Sequence, residues 1–373
     1  MSNKKYILGC ISVALVIVAI IAKGSDTSDS NSPVKVGVII PLTGNFAVIG
    51  ERIKNGFELA REDLIKSGAA PLDVQYEDGC LPKEYIPAVT KLIESDKIDI
   101  LGGTYCIPGF LAAVPILEKA QVVAMNLTPN PDAILNHKYI ISTNTSIQLK
   151  ADELGKFAAN TLKAKTAAII YYNTQLGEDY RKYFQKSFES LGGNIVSTEM
   201  TSVEQTDFRT ELAKVKVAKP DVVFLVQLTK PLANLLKEAK EIGISSRILG
   251  NSQQEDPSVV VIAGSAAEGF LVSSDDPLPV SSRVEDFNTR YQLKYGQDAN
   301  VFARNAYDAL MLESAAYAKC GKANNECLLQ YFHSLKDHHG VSGIITIQPD
   351  GTSFKGTSFK VVKDGKFVPY GVN

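Results

Sequence analysis

Four histidines (His137, His333, His338, His339) and five cysteines (Cys10, Cys80, Cys106, Cys320, Cys327) are the side chains from which a metal or redox centre would have to be built. Asp337-His338-His339 has the outline of one metal-phosphoesterase signature, but the further carboxylate and histidine signatures of such an enzyme are missing. A solvated loop before Gly340 is the expectation for it. Cys320, Cys327, His333 and His338 can be written as a zinc set, yet the tight cysteine spacing of zinc sites is absent and the compartment argued below is oxidising. The patterns H-E-x-x-H, G-x-S-x-G, G-x-x-x-x-G-K-[ST] and G-x-G-x-x-G do not occur where their chemistry would need them. These residues predict no catalytic centre, no metal and no cofactor, so the chain reads as a binding protein and not an enzyme.

The cysteines point to disulfides instead. Setting Cys10 aside leaves an even set of four, as exported chains with bridges have. Three pairings are open, and Cys80–Cys106 with Cys320–Cys327 is the most local. Export is written at the N-terminus. Lys4 and Lys5 precede an uncharged apolar run over residues 6–22, and a Ser- and Asp-rich stretch follows to residue 32. This is a signal peptide or a membrane anchor. Cys10 lies too early in the run for a lipoprotein box, and no clear cleavage site ends it. An uncleaved anchor is favoured, with the lysines inside and the body outside the cell membrane. Asn126-Leu-Thr and Asn144-Thr-Ser match the glycosylation pattern, but both lie near strand ends, where hydrogen bonding is the expected role.

The elements that position these residues alternate. Val34, Val36, Val38, Ile39 and Ile40 are too continuously apolar for a half-exposed strand and predict one covered on both faces. Pro41, Gly44 and Asn45 break the run. Ile53, Phe57, Ala60, Leu64 and Ile65 then recur at helical spacing. Further strands are predicted at 72–76, 98–101, 122–125 and 139–142, with helices at 83–95, 108–120 and 131–135. A second series opens with a helix at 147–162. It continues with strands at 167–171, 195–200, 221–226 and 247–249, separated by helices at 177–191, 207–217 and 231–242, with a short helix at 257–263. The fold class is α/β, with two doubly wound, Rossmann-like parallel sheets. After a strand at 269–273, helices at 281–295, 302–319 and 325–335 bring no new parallel strands, so they must return to a lobe already built. Short strands at 344–347, 358–362 and 366–368 end the chain. The length of 373 residues suits about two domains. A net charge of −2 with scattered Lys and Arg gives no field for nucleic acid.

Several blocks, in order, resemble the type I periplasmic (solute-)binding proteins of ABC importers, the leucine/isoleucine/valine-binding branch. They are Val36-Gly-Val-Ile-Ile-Pro-Leu-Thr-Gly44, Tyr76-Glu-Asp-Gly-Cys-Leu-Pro-Lys83, Asp207-Phe-Arg-Thr-Glu-Leu212, Lys219-Pro-Asp-Val-Val-Phe224, Ala263-Gly-Ser-Ala-Ala-Glu-Gly269 and Tyr307-Asp-Ala309. The resemblance implies two lobes joined by three crossovers, near 142–143, 272–273 and 343–344. Lobe one would be 34–142 with 273–343, and lobe two 143–272 with 344–373, preceded by the 1–32 segment. It implies an extracytoplasmic monomer that captures a small solute between the lobes and delivers it to a membrane permease. A membrane-tethered sensor ectodomain is the alternative.

Site positions follow one at a time. Cys106 matches the family cysteine of the carboxylate-holding loop, with Ile107 where a serine is usual and Tyr105 beside it. Thr128 and Asn130 fall where the ligand's polar head is held. Leu176 and Leu228 stand at usual aromatic positions of lobe two, Ile49 at one of lobe one, and Phe302 lies near the cleft. Ser252 stands where an acid would pair with a ligand amino group. The site becomes more aliphatic and loses its acid, so the implied solute is amino-acid-like, aliphatic or an amide. Glu255, Gln253 or Gln254 would replace the acid only after a loop shift. Arg304 either faces the cleft or is a solvated helix charge, and Asp308 reads as structural.

Overall fold

Val34–Ile40 forms β1, buried along almost its whole length and flanked by a strand on each side. The computed structural model describes residues 32–128, 136–275, 281–322 and 324–371. Four strands join β1: β2 (Leu72–Asp78), β3 (Ile100–Thr104), β4 (Ala124–Asn126) and β5 (Ile140–Ser142). Their order is β2-β1-β3-β4-β5 and every pair is parallel. Helices Ala47–Lys66, Pro82–Glu94 and Ile107–Ala120 connect the first four.

The second sheet repeats the plan with β6 (Thr166–Tyr172), β7 (Asn194–Thr201), β8 (Val222–Val226), β9 (Arg247–Gly250) and β10 (Leu271–Ser274). Beyond it lie a small antiparallel sheet of β11 (His338–His339), β12 (Ile344–Ile347) and β13 (Ser353–Phe354), and a hairpin of β14 (Ser358–Lys363) and β15 (Lys366–Pro369). The hairpin closes one edge of the second sheet, whose order is β15-β14-β10-β9-β8-β6-β7, with β14 antiparallel to β10.

Each sheet carries apolar packing on both faces. The first sheet's larger core takes Phe287, Leu310 and Phe332 from helices Ser282–Tyr295, Val301–Cys320 and Asn325–His333. The late helices therefore return to the first sheet. Gly56 permits this: a Cβ there would lie 2.2 Å from the Ala303 carbonyl oxygen, so helices Ala47–Lys66 and Val301–Cys320 meet backbone to backbone.

The chain passes from the first sheet to the second after Ser142, and back after Ser274. Its last passage falls later than the expected 343–344. Ile345 and Ile347 pack into the first sheet's core, and the second sheet is rejoined only at Ser358. The cause is β12, whose pairing with β11 and β13 holds these isoleucines on the first lobe. His338–His339, expected in a solvated loop, is thus a short strand. The helix expected over 147–162 is α-helical only to Lys156 and continues as a π-helical turn over Phe157–Thr161.

Both local disulfides are present, with Cα–Cα distances of 5.0 Å for Cys80–Cys106 and 5.6 Å for Cys320–Cys327. The bridge removes both cysteines from the zinc set, and no metal-binding cluster occurs among the described residues. The apolar run at 6–22, the helix expected at 131–135 and Asn130 lie outside the described residues. Among those described, no helix is long and apolar enough to cross a membrane.

Candidate functional site

Parallel strands put the loops that follow them on one edge, and in open α/β sheets that carboxyl edge is where ligands bind. On the first sheet, the loop after β1 is tied to the end of β2. Leu42 N–H donates to Asp78 Oδ1 at 2.7 Å and Thr43 Oγ1 to Asp78 Oδ2 at 2.5 Å. Desolvation pushes the Asp78 carboxyl up, but the hydrogen bonds from Thr43 and Leu42 outweigh it and hold the pKa below the usual range.

After β3 come Tyr105, Cys106 and Ile107. Cys106 has φ of 75°, a left-handed conformation that costs a non-glycine residue roughly 1–3 kcal/mol. Its bond to Cys80 holds it at the start of helix Ile107–Ala120. Tyr105 meets Phe302 edge to face with centroids 5.5 Å apart, and burial pushes its phenol up to about 12. Ile49, Tyr105 and Phe302 all pack against the same core. At the end of β4, Asn126 is fully buried, and its Oδ1 accepts from Thr128 N–H at 3.2 Å and Thr128 Oγ1 at 2.9 Å. Its Nδ2 donates to the Thr128 carbonyl at 2.9 Å. The Thr128 hydroxyl is buried with its proton already given to Asn126, which leaves it an acceptor only.

The second sheet's edge is built differently. Leu176 lies in the first turn of helix Gln175–Ser190 and packs against that lobe's core, and Leu228 after β8 is 48 % exposed. Gln227 and Gln254 are structural: Gln254 Nε2 donates to the Gln227 carbonyl at 2.9 Å, and Gln227 Nε2 to Thr201 Oγ1 at 2.8 Å. Ser252, after β9, accepts from the Lys150 ammonium at 3.4 Å. Lys150 is almost fully buried and pairs with Asp275, just past β10, at 2.7 Å. Glu255 is committed to Lys360 and also accepts from Ser274 Oγ. Where the resemblance led to an acid, this edge presents a cation.

The structure thus brings together Tyr105 and Phe302, with Ile49 packed against the same core, and separately Ser252 with Lys150 and Asp275. Thr128 stands apart, buried in its own turn. Arg304 is neither solvated nor a surface charge: it is 5 % exposed and donates to the Ala299 carbonyl at 3.3 Å. Asp308 is structural, accepting from Val341 N–H at 2.9 Å, Ser342 N–H at 2.7 Å and Ser342 Oγ. Sequence reading missed Lys150 and Asp275. Lys150 had a signal, since it shares one helical face with Ile147, Ala151 and Leu154, all buried.

Two of the passages between sheets leave from carboxyl ends, those of β5 and β10, so the loop sets of both sheets border the same hinge. The hinge segments are laced together: Ser142 N–H donates to the Gly351 carbonyl at 2.8 Å, and Thr145 bridges Ser353. Two Rossmann-like lobes, each with its ligand-binding edge at a shared multi-segment hinge, define a two-lobed binding protein.

The comparisons agree. The family described as periplasmic binding protein matches residues 33–366, and the chain belongs to that family. A leucine-, isoleucine-, valine-, threonine- and alanine-binding protein of Pseudomonas aeruginosa is 25% identical over 299 residues, 79% of this chain and 80% of that protein. A leucine-binding protein of Thermotoga maritima superposes with a TM-score of 0.77 at 23% identity, covering 90% of this chain and 97% of its own. A solute-binding protein of an ABC transporter from Rhodopseudomonas palustris BisB5, solved with 3,4-dihydroxybenzoic acid, gives 0.75 at 25%, covering 90% and 95%. The chain is a solute-binding protein and not an enzyme.

Proposed function

We propose that the chain works outside the cytoplasmic membrane, held there by residues 6–22, and captures a small, largely aliphatic solute for an ABC permease. The solute lies between the carboxyl edges of the two lobes. Its polar end meets the Thr128–Asn130 loop, and Ile49, Tyr105, Phe302, Leu176 and Leu228 surround the rest. It carries no free α-ammonium. The observation behind this is Ser252: an ammonium placed there would meet the buried Lys150 ammonium, a like charge, with Asp275 already engaged and Glu255 paired to Lys360.

Calorimetry with leucine and its neutral counterpart 4-methylpentanamide tests this. The amide is expected to bind at least tenfold more tightly, and binding should raise the melting temperature because only the folded state holds it. Leucine binding as tightly as the amide, or more so, would sink the reading. Leu228→Asp should abolish amide binding by setting a charge against an apolar ligand.

A further inference from the structure

Helix Val301–Cys320 meets the first sheet with an acid in the contact. Glu313 is fully buried, and neither of its carboxyl oxygens has a hydrogen-bond partner among the described residues. Ala309, Leu310, Ala316 and Tyr317 surround it on its own helix, and all four belong to the first lobe's apolar core. Across the contact stands Gly102 of β3. A Cβ there would lie 2.5 Å from Glu313 Oε2 and 2.3 Å from Val36 Cγ1, so glycine is what leaves room for the carboxyl. The strand is also irregular at this point. Gly37 of β1 pairs with Leu101 and Val38 with Gly103, which makes Gly102 the extra residue of a β-bulge. The sheet is shaped around the acid without offering it a donor.

The charged groups of the elements packed around Glu313 are engaged elsewhere. Lys35 of β1 donates its ammonium proton to the Asp96 carbonyl, and Asp99, just before β3, accepts from Lys35 N–H and pairs with Lys322. On helix Ala47–Lys66, Asp63 holds Arg290 and Tyr307. On helix Val301–Cys320 itself, Asp308 binds Val341 and Ser342, Arg304 donates to the Ala299 carbonyl, and Lys319 lies over the Tyr331 ring. On helix Asn325–His333, Glu326 pairs with Lys138 and His333 is exposed. The Tyr317 hydroxyl, one turn beyond Glu313, is buried and has no partner of its own among the described residues. Burial alone therefore acts on the Glu313 carboxyl and pushes it well above the usual carboxylate range.

A carboxylate sealed among apolar side chains, with neither a cation nor an N–H to meet it, is far costlier than the neutral acid. We propose that Glu313 is a pH-sensitive latch of the first lobe: as an uncharged acid it lets helix Val301–Cys320 seal against β3, and loss of its proton to solvent forces that contact to admit water. The unfolded chain ionises a glutamate near about 4.3. The folded chain keeps the proton to higher pH, so the latch favours folding in acid. Its stabilisation is complete below the unfolded value and is lost progressively as pH rises towards the folded one. The contact joins the strand that leads to Tyr105 with the helix that carries Phe302, so loosening it reaches the carboxyl edge of this lobe. This goes beyond solute capture and does not rest on it.

The test is urea unfolding of the whole exported protein and of Glu313→Gln, which keeps the shape but is neutral at every pH. The unfolding constant of the unaltered protein, divided by that of Glu313→Gln, should rise about tenfold per pH unit from pH 5 to 7, roughly 100-fold in all. Groups common to both proteins cancel in that ratio. Glu313→Leu as the reference should give the same dependence on pH. An infrared spectrum of the unaltered protein at pH 7 should also show the carbonyl stretch of a protonated carboxylic acid, and Glu313→Gln should lack it. That spectrum is read on the unaltered protein, so the test survives a variant that fails to fold. A ratio that stays flat from pH 5 to 7 overturns the proposal, as does the absence of the protonated-acid stretch at pH 7 or its persistence in folded Glu313→Gln.

Discussion

The two carboxyl edges solve one positional problem with opposite chemistry. The first is fixed mostly by covalent and neutral contacts, the Cys80–Cys106 bridge, the Asn126–Thr128 turn and the Tyr105–Phe302 contact, with the Asp78 carboxylate holding the loop after β1 through hydrogen bonds to Leu42 and Thr43. The second is fixed by ion pairs, Lys150–Asp275 and Glu255–Lys360, and leaves Leu228 exposed after β8. Covalent and neutral bonds are indifferent to charge in the solution, whereas half-buried ion pairs are sensitive to what is placed next to them. The first edge is therefore suited to hold a shape, and the second to choose by charge.

The sharpest way to break this contrast is on the covalent side. Cys80→Ala with Cys106→Ala opens a loop of 26 positions and should cost about 3.5 kcal/mol, against about 2.4 kcal/mol for the seven-position Cys320–Cys327 loop. Urea denaturation of both variants should show that order. Next, Asp275→Ala leaves the buried Lys150 ammonium without its partner. The loss should be about 2–3 kcal/mol, below the 3–5 of a fully buried pair because Asp275 keeps some solvent. Lys150→Met with Asp275→Leu should recover most of it. If the single change costs nothing, the second edge is not held by charge. Smaller again, Thr128→Val takes one donor from the buried Asn126 Oδ1 and should cost about 1 kcal/mol in the same measurement.

The last prediction concerns pH. Because burial sets Lys355 near 7 in the folded chain and an unfolded lysine stands near 10.4, the unfolded state binds more protons between those values. Stability from this group therefore rises with pH across that window and is lowest below it, when the ammonium must be buried charged. Melts from pH 6 to 10 should show this slope in the unaltered protein and a flatter one in Lys355→Met.

Much of this was legible from spacing alone. The apolar run Val34–Ile40 demanded a strand covered on both faces, and helices without parallel strands demanded a return to one of the two lobes; Phe287 and Leu310 pack in the first. The four cysteines allowed three pairings, and the local one formed. Other features left no period to read. The strands His338–His339 and Ser353–Phe354 have two residues each, too few to alternate. Their invisibility misplaced the last passage between the lobes. Lys355 sits in an irregular turn, and its burial is created by segments far away in sequence. Lys150 was different: a charge on the apolar face of its helix marks a buried partner, and that partner, Asp275, is 125 positions on.

The backbone contact at Gly56 bears on how the molecule is made. Helix Ala47–Lys66 cannot cover its Gly56 face until Ala303 has been synthesised, almost two hundred and fifty residues later. The second sheet likewise waits for β14 and β15 at the very end of the chain. Both lobes are therefore completed late in translation, the first once Ile347 is in place and the second only with β15. A nascent chain arrested before residue 301 should stay soft to protease through both lobes, and a chain this late in committing to its fold is well suited to crossing a membrane unfolded.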